Sequence, residues 1–258
     1  MIPNATHATP APQLIAHRGW ASRYPENSLE ALEAALDAGA RFVEFDVQLS
    51  ADGVPVLLHD STLDRTAALP GCVHDMGWDR LAEIRIGEST RLGDTYAQVR
   101  LPSLAQACQL LQRWPGAHAF VEVKTESLQR FGLERMLDRC IEQTTSINDR
   151  SIITSYSDDL LSLARERHGQ AIAWVLTTAD RSELEHARRL APDYLVCNVN
   201  KLPEDGPLPC GPWQWAIYEI TDPDQALGLA RRGAALVETM AIGEMLRDPR
   251  LLQGPAVD

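Results

Sequence analysis

The feature that most restricts the fold is a rhythm. A short apolar stretch is followed by a helical one, and the pair repeats about eight times along the chain of 258 residues. Apolar runs at 14–17, 42–47, 54–58, 119–124, 151–154, 171–176, 193–199, 213–220 and 234–238 read as strands. Most are rich in Val, Ile and Leu, as strands covered on both faces are. Leu29, Leu32, Ala35 and Leu36 form a helical stripe. Asn27 and Glu30 precede it in the pattern of a capping box, and Gly39 is its stop. Further helices are expected at 103–114 and 128–143, after the caps Ser157 and Asp180, after Asp222-Pro223 with Pro at the first position, and at 242–246. Such alternation over about 250 residues predicts an α/β fold, a (β/α)8 TIM-type barrel. The rival is a doubly wound open sheet, and no GxGxxG or GxxxxGK[ST] stretch supports a nucleotide-binding version of it.

Between 61 and about 100 the periodicity fades and Gly, Asp and Thr accumulate. A stretch of that length carries structure of its own or covers a site. It reads as a small insertion after the strand ending at His59. The domain expectation is therefore a flexible leader at 1–12, a single barrel at 13–250 and a tail at 251–258.

Charge narrows the partners. A net charge of −12 and a pI near 5.0 argue against nonspecific binding to nucleic acid or to an anionic membrane surface, since both reward basic protein. No run approaches the roughly 20 apolar residues of a membrane span, and the first residues lack a signal-peptide pattern. The five cysteines are scattered without CxxC spacing, which suggests reduced thiols in a cytoplasmic protein and disfavours a thiolate zinc site. A small-molecule partner remains, and the sequence leaves the oligomeric state open.

The chemistry begins in Phe42-Val43-Glu44-Phe45-Asp46-Val47. In a strand, residues two apart share a face, so Glu44 and Asp46 lie side by side. Two acids together repel, and burying them needs something positive between them. An oxygen-loving divalent cation is the simplest partner; the bland alternative is an edge strand with a solvated acidic face. Other polar groups fall at strand ends, where barrel function gathers: His17-Arg18 after the first strand, His59 after another, Glu122 and Lys124 on one face of a third. Such a set suits phosphoryl transfer. Three carboxylates hold one Mg²⁺ or Ca²⁺, Arg18 and Lys124 fit phosphate, and two histidines divide acid and base roles.

These residues carry a resemblance. Ala16-His17-Arg18-Gly19, Pro25-Glu26-Asn27-Ser28, Val43-Glu44-Phe45-Asp46-Val47, Asp52-Gly53-Val54-Pro55-Val56, His59-Asp60 with Thr62-Leu63-Asp64-Arg65-Thr66, Leu101-Pro102-Ser103-Leu104 and Val121-Glu122-Val123-Lys124 resemble the glycerophosphodiester phosphodiesterase family, in order. The resemblance implies a TIM-type barrel that hydrolyses glycerophosphodiesters to glycerol 3-phosphate and an alcohol. It implies Glu44, Asp46 and Glu122 as ligands of one divalent cation, His17 as base, His59 as acid, and Arg18 and Lys124 on the phosphate. The first nucleophile would often be the substrate's own hydroxyl, through a cyclic phosphate. The C-terminal half departs from the family pattern at Ser155-Tyr156-Ser157, Tyr218-Glu219-Ile220-Thr221 and Thr239-Met240. Glu219 is expected to share a face with Ile217 and Trp215 and to add a carboxylate to the mouth. Trp213 and Trp215 line a headgroup pocket or belong to the core, the core being favoured for at least one. Two other readings compete: a lysophospholipase D-like or cyclising enzyme acting on lysophospholipids, and a non-catalytic barrel that binds a phosphodiester.

Overall fold

The computed structural model describes residues 10–252. The strands are β1 (Gln13–Ala16), β2 (Phe42–Leu49), β3 (Pro55–Leu57), β4 (His118–Val123), β5 (Ser151–Ser155), β6 (Ala171–Val175), β7 (Tyr194–Asn198), β8 (Gln214–Tyr218) and β9 (Ala234–Thr239). All but β3 pair in parallel, in the order β1-β9-β8-β7-β6-β5-β4-β2, and β1 pairs with β2 to close the ring. Helices alternate with the strands, so the eight parallel strands make the expected (β/α)8 barrel.

Period-two alternation builds two cores from one strand. On β2, Val43, Phe45 and Val47 are fully buried against the outer helices, with Leu32 and Leu36 in the same cluster. Each such side chain contributes roughly 1.5–3 kcal/mol. The opposite face of the strands points inward, where Ile15, Phe120, Ile152, Val196 and Leu236 fill the barrel. Phe42 packs at that inner layer, so Glu44 and Asp46, of the same parity, also face inward. Trp213 and Trp215 both belong to the outer core, edge to face with ring centroids 6.1 Å apart, and neither lines the barrel mouth.

Several local expectations change. β3 is not a barrel strand: it returns antiparallel along β2, pairing Val47 with Leu57, across a turn where Gly53 takes φ +89°. His59 therefore reaches the mouth on the return limb of a hairpin. Helix Leu29–Asp37 is capped by Ser28, whose Oγ accepts from the Ala31 N–H, and not by Asn27. Asn27 turns away to a longer-range partner, described below. The helix expected over 128–143 is two, Thr125–Phe131 and Leu133–Thr144, broken at Gly132 with φ +86°. The Asp180 box is half formed: Asp180 accepts from the Glu183 N–H, but Glu183 accepts from Thr177 and Thr178.

The insertion has its own core, in which Val56, Leu58, Leu63, Val73, Leu81 and Ile86 cluster under short helices including Asp64–Ala67 and Ser89–Leu92. At the chain ends, Ala11 packs on the main core, and Leu251 is fully buried within a turn of helix, Pro249–Leu251. The rest of the expected leader and tail, 1–9 and 253–258, lies outside the described residues. Among the described residues, no helix is long and apolar enough to cross a membrane.

Candidate active site

Parallel pairing of β2 with β4 sets Asp46 beside Glu122 and Glu44 beside Phe120. Residues paired in register share a face, so the three acids converge inside the barrel. One carboxylate oxygen from each of Glu44, Asp46 and Glu122 lies within 4.8 Å of the others. His17 follows β1, and its Nε2 stands 3.9 Å from Glu44 Oε2. The turn after His17 is tight: Arg18 takes φ +55° and Gly19 φ +78°. A Cβ on Gly19 would sit 2.5 Å from the Ala31 carbonyl carbon, so only glycine lets this loop cross helix Leu29–Asp37.

Each site residue has defined partners. Arg18 donates its backbone N–H to Glu44 Oε2 at 3.0 Å. Its guanidinium donates to Glu26 at 2.9 Å and lies 3.1 Å from Asp46 Oδ2. Lys124 Nζ donates to Glu122 at 2.8 Å and to Asp46 at 3.2 Å. Asn27, at φ +56°, grips β2 twice: its Nδ2 donates to Asp46 Oδ2 and its Oδ1 accepts from the Asp46 N–H. His17, Arg18, Asp46, His59, Glu122 and Lys124 line one cavity of about 220 Å³, and Glu44, not on the lining, meets Asp46 and Glu122 within 4.8 Å.

The electrostatics are uneven. Burial would raise the Asp46 carboxyl, but Arg18 and Lys124 outweigh it and hold Asp46 well below the usual carboxylate range. Burial and the neighbouring carboxylates Asp46, Glu238 and Glu122 push Glu44 up. Glu122 is also raised, by burial against the pull of Lys124. His17 is pushed down to about 3, by burial first and Arg18 second, and stays neutral. Four inner carboxylates, Glu44, Asp46, Glu122 and Glu238, thus face two cations, Arg18 and Lys124. Glu44 Oε1 is buried without a hydrogen-bond partner. An all-oxygen cluster with surplus negative charge and a free buried oxygen fits a hard divalent cation.

A second ring of contacts, with no role legible in the sequence, fixes this arrangement. Arg65 clamps Glu26 through two hydrogen bonds of 2.7 and 2.8 Å and donates a third to Asp60. Asp60 in turn holds His59 Nδ1 at 2.6 Å. His59 and Arg18 are therefore tied through Asp60, Arg65 and Glu26. Burial would raise Glu26, but Arg65 and Arg18 keep it low and charged. From the insertion, Glu88 accepts from the Glu26 N–H at 2.6 Å, while Arg91 donates to Glu88 and to the carbonyls of Ala21 and Tyr24.

The facing wall is sparser. Tyr156 and Tyr218 meet hydroxyl to hydroxyl at 3.3 Å, and Asn198 donates to Glu219 at 2.7 Å. Glu219 lies just past the end of β8 with φ +68°, so it reaches the mouth by a turn and not by sharing a strand face with Ile217.

The model of the glycerophosphoryl diester phosphodiesterase family matches residues 17–205. The chain belongs to this family. It is 33% identical over 147 residues to a glycerophosphodiester phosphodiesterase of Caldanaerobacter subterraneus, covering 56% of this chain and 58% of that one. It is 31% identical over 152 residues to one of Bacillus altitudinis, covering 58% and 60%. The chain thus spans about 60% of the length of these curated relatives. A phosphodiesterase of Oleispira antarctica, solved in complex with the product sn-glycerol-3-phosphate, shares the fold with a TM-score of 0.80 at 24% identity, over 92% of this chain and 96% of that one. The family match ends before β8, so Tyr218, Glu219 and Glu238 lie outside it. Glu238 is the site residue the sequence reading passed over. It sits on β9 two residues after Leu236, which fills the barrel, and so faces the cavity. Burial and then Glu122 push its carboxyl up to about 8.

Proposed function

We propose that the chain is a divalent-cation-dependent glycerophosphodiester phosphodiesterase, hydrolysing glycerophosphodiesters to glycerol 3-phosphate and an alcohol. The observation that carries this reading is the convergence of Glu44, Asp46 and Glu122 on one point beside a cavity that also presents His17 and His59. Glu44, Asp46 and Glu122 would hold the ion, and an oxygen-only set favours Mg²⁺ or Ca²⁺. When bound, such an ion polarises phosphoryl oxygens and offsets charge that builds on them.

The chain's own residues do the rest. Arg18, kept charged by Asp46 and Glu26 against the pull of burial, and Lys124 orient the phosphate. Neutral His17 accepts the proton of the attacking hydroxyl, whether water or the substrate's neighbouring hydroxyl, as a new O–P bond forms. His59 delivers a proton to the departing alkoxide as the old P–O bond breaks; where the substrate's own hydroxyl attacked, the product is a cyclic phosphate, which water opens to glycerol 3-phosphate in a second displacement with the two histidines in exchanged roles. Asp60 accepts from His59 Nδ1, which orients the ring and leaves Nε2 for the proton transfer.

The test is direct. His17→Ala or Glu44→Ala should abolish release of glycerol 3-phosphate from glycerophosphocholine and glycerophosphoethanolamine in Mg²⁺ or Ca²⁺, with circular dichroism unchanged. Full activity in either variant, or in excess chelator, would falsify the reading. Phosphorus NMR of the products separates hydrolysis from release of a cyclic phosphate. Two further parts of the proposal are a single barrel domain at 13–250, checked by limited proteolysis, and a cytoplasmic site of action, supported by five free thiols and checked by cell fractionation.

A further inference from the structure

A second set of donors stands beside the three-carboxylate cluster. One ring nitrogen of His17, one carboxylate oxygen of Glu44 and one of Glu238 lie within 4.8 Å of one another. These residues are 9%, 3% and 5% exposed. Glu44 belongs to both sets, and a carboxylate has an oxygen for each. The ion pairs of Arg18 and Lys124 go to Glu26, Asp46 and Glu122, and none reaches Glu238. Two buried atoms of this set lack hydrogen-bond partners: Glu44 Oε1 and His17 Nδ1, while His17 Nε2 stands 3.9 Å from Glu44 Oε2. The second belongs to a residue outside the first cluster, so that cluster does not account for it. Buried polar groups are nearly always satisfied, by protein, by ordered water or by an ion.

We propose that His17, Glu44 and Glu238 form a second cation site, bridged by Glu44 to the Glu44–Asp46–Glu122 site, and that it takes Mn²⁺ or Zn²⁺ in preference to Mg²⁺ or Ca²⁺. The preference follows from the donors. The first site is all oxygen and suits hard cations, whereas an imidazole nitrogen beside two carboxylates suits borderline transition ions. A histidine nitrogen bound to a cation has no lone pair for a proton. Filling this site therefore withdraws His17 from proton transfer and switches turnover off. That consequence rests on the base role proposed for His17; the site itself does not.

The full chain, stripped with chelator and dialysed against excess Mn²⁺, should carry two Mn²⁺ by atomic spectrometry, with the exchange-broadened electron paramagnetic resonance spectrum of a coupled pair. Dialysed against Mg²⁺ or Ca²⁺ it should carry one ion. Glu238→Gln should retain one Mn²⁺ and give the six-line spectrum of an isolated ion. One Mn²⁺ in the native chain, or two of unchanged affinity in Glu238→Gln, overturns the site. Should circular dichroism show that Glu238→Gln does not fold, Glu238→Asp replaces it, and a second Mn²⁺ bound at least tenfold more weakly is the expected result; unchanged affinity is the contrary one. Added Zn²⁺ should inhibit Mg²⁺-supported turnover of glycerophosphocholine in step with filling of the second site. Full turnover with that site filled overturns the switch. Two bound Mn²⁺ without turnover of any diester under Mg²⁺ would instead sink the phosphodiesterase reading and leave the site standing.

Discussion

The two sides of the barrel mouth are built differently. On the side of β1, β2 and β4, buried carboxylates are held by two or more partners: Asp46 by Asn27, Lys124 and Arg18, Glu26 by Arg65 and Arg18. On the side of β5, β7 and β8, single contacts join exposed or half-exposed groups, Tyr156 to Tyr218 and Asn198 to Glu219. A charged group inside a low-dielectric wall must be neutralised and hydrogen-bonded or it unfolds the chain. An exposed tyrosine at a rim carries no such demand. The first side is thus constrained by electrostatics, while the second is free to vary with the group it meets. The three strained non-glycine residues at the mouth divide in the same way: Arg18 and Asn27 are locked by buried partners, Glu219 by one exposed bond.

The largest effect tests the buried side. Glu44→Gln should abolish measurable turnover, by removing a ligand of the ion, while raising the melting temperature measured in chelator. It replaces a carboxyl whose ionised form burial and the neighbouring carboxylates disfavour when no cation is bound. A variant both inactive and less stable would break the claim that like-charge crowding, not packing, governs that wall. Next, Arg65→Ala should cost about 10–100-fold in kcat with little change in KM, because it frees His59 and Arg18 without touching substrate; that range is typical for groups that orient a site. Arg65→Lys should restore only part of the loss, since the two bonds to Glu26 need a fork. An effect confined to KM would place Arg65 in substrate binding instead.

On the sparse side, Glu219→Gln and Tyr218→Phe should leave turnover of any one diester within about threefold, yet reorder a panel of headgroups. A loss comparable to that of Arg65→Ala would erase the contrast between the walls. The smallest effect lies beneath the mouth. His74 is buried against Gln48 and Ser127, and burial first, then Arg130, lowers its pKa. The unfolded chain binds that proton near pH 6.5 and the folded chain only at lower pH. Stability from this group is therefore full above about pH 6.5 and falls as pH drops below it. His74→Gln should flatten the acid limb of a melting-temperature profile by a degree or two, roughly the shift of a few tenths of a kcal/mol; an unchanged limb contradicts the assignment.

The same division governs what was legible beforehand. Glu44 with Asp46, and Glu122 with Lys124, announce themselves because strand period places residues two apart on one face. Alternation of strand and helix was equally plain, and it favoured the barrel over a doubly wound open sheet. Asn27 was misread because its local pattern fits a cap, whereas the bond to Asp46 spans 19 positions and leaves no local mark. Arg65 and Glu26 stood within recognised motifs, but their pairing across 39 positions is a fact of folding alone. Glu238, an acid near the end of an apolar strand, lacked the second acid two residues away that drew notice to Glu44. The direction of β3 was hidden because three apolar residues look alike whether they join a barrel or fold back along it.

The hydrogen bonds from Glu88 and Arg91 into residues 21–26 have a practical corollary for recombining this chain with its relatives. A crossover placed between the first strand and the insertion separates donors from acceptors that meet only in the folded chain, even though both parent barrels would be intact. Segments 18–27 and 59–101 should travel as one cassette, and chimeras cut elsewhere on the ring should tolerate exchange far better.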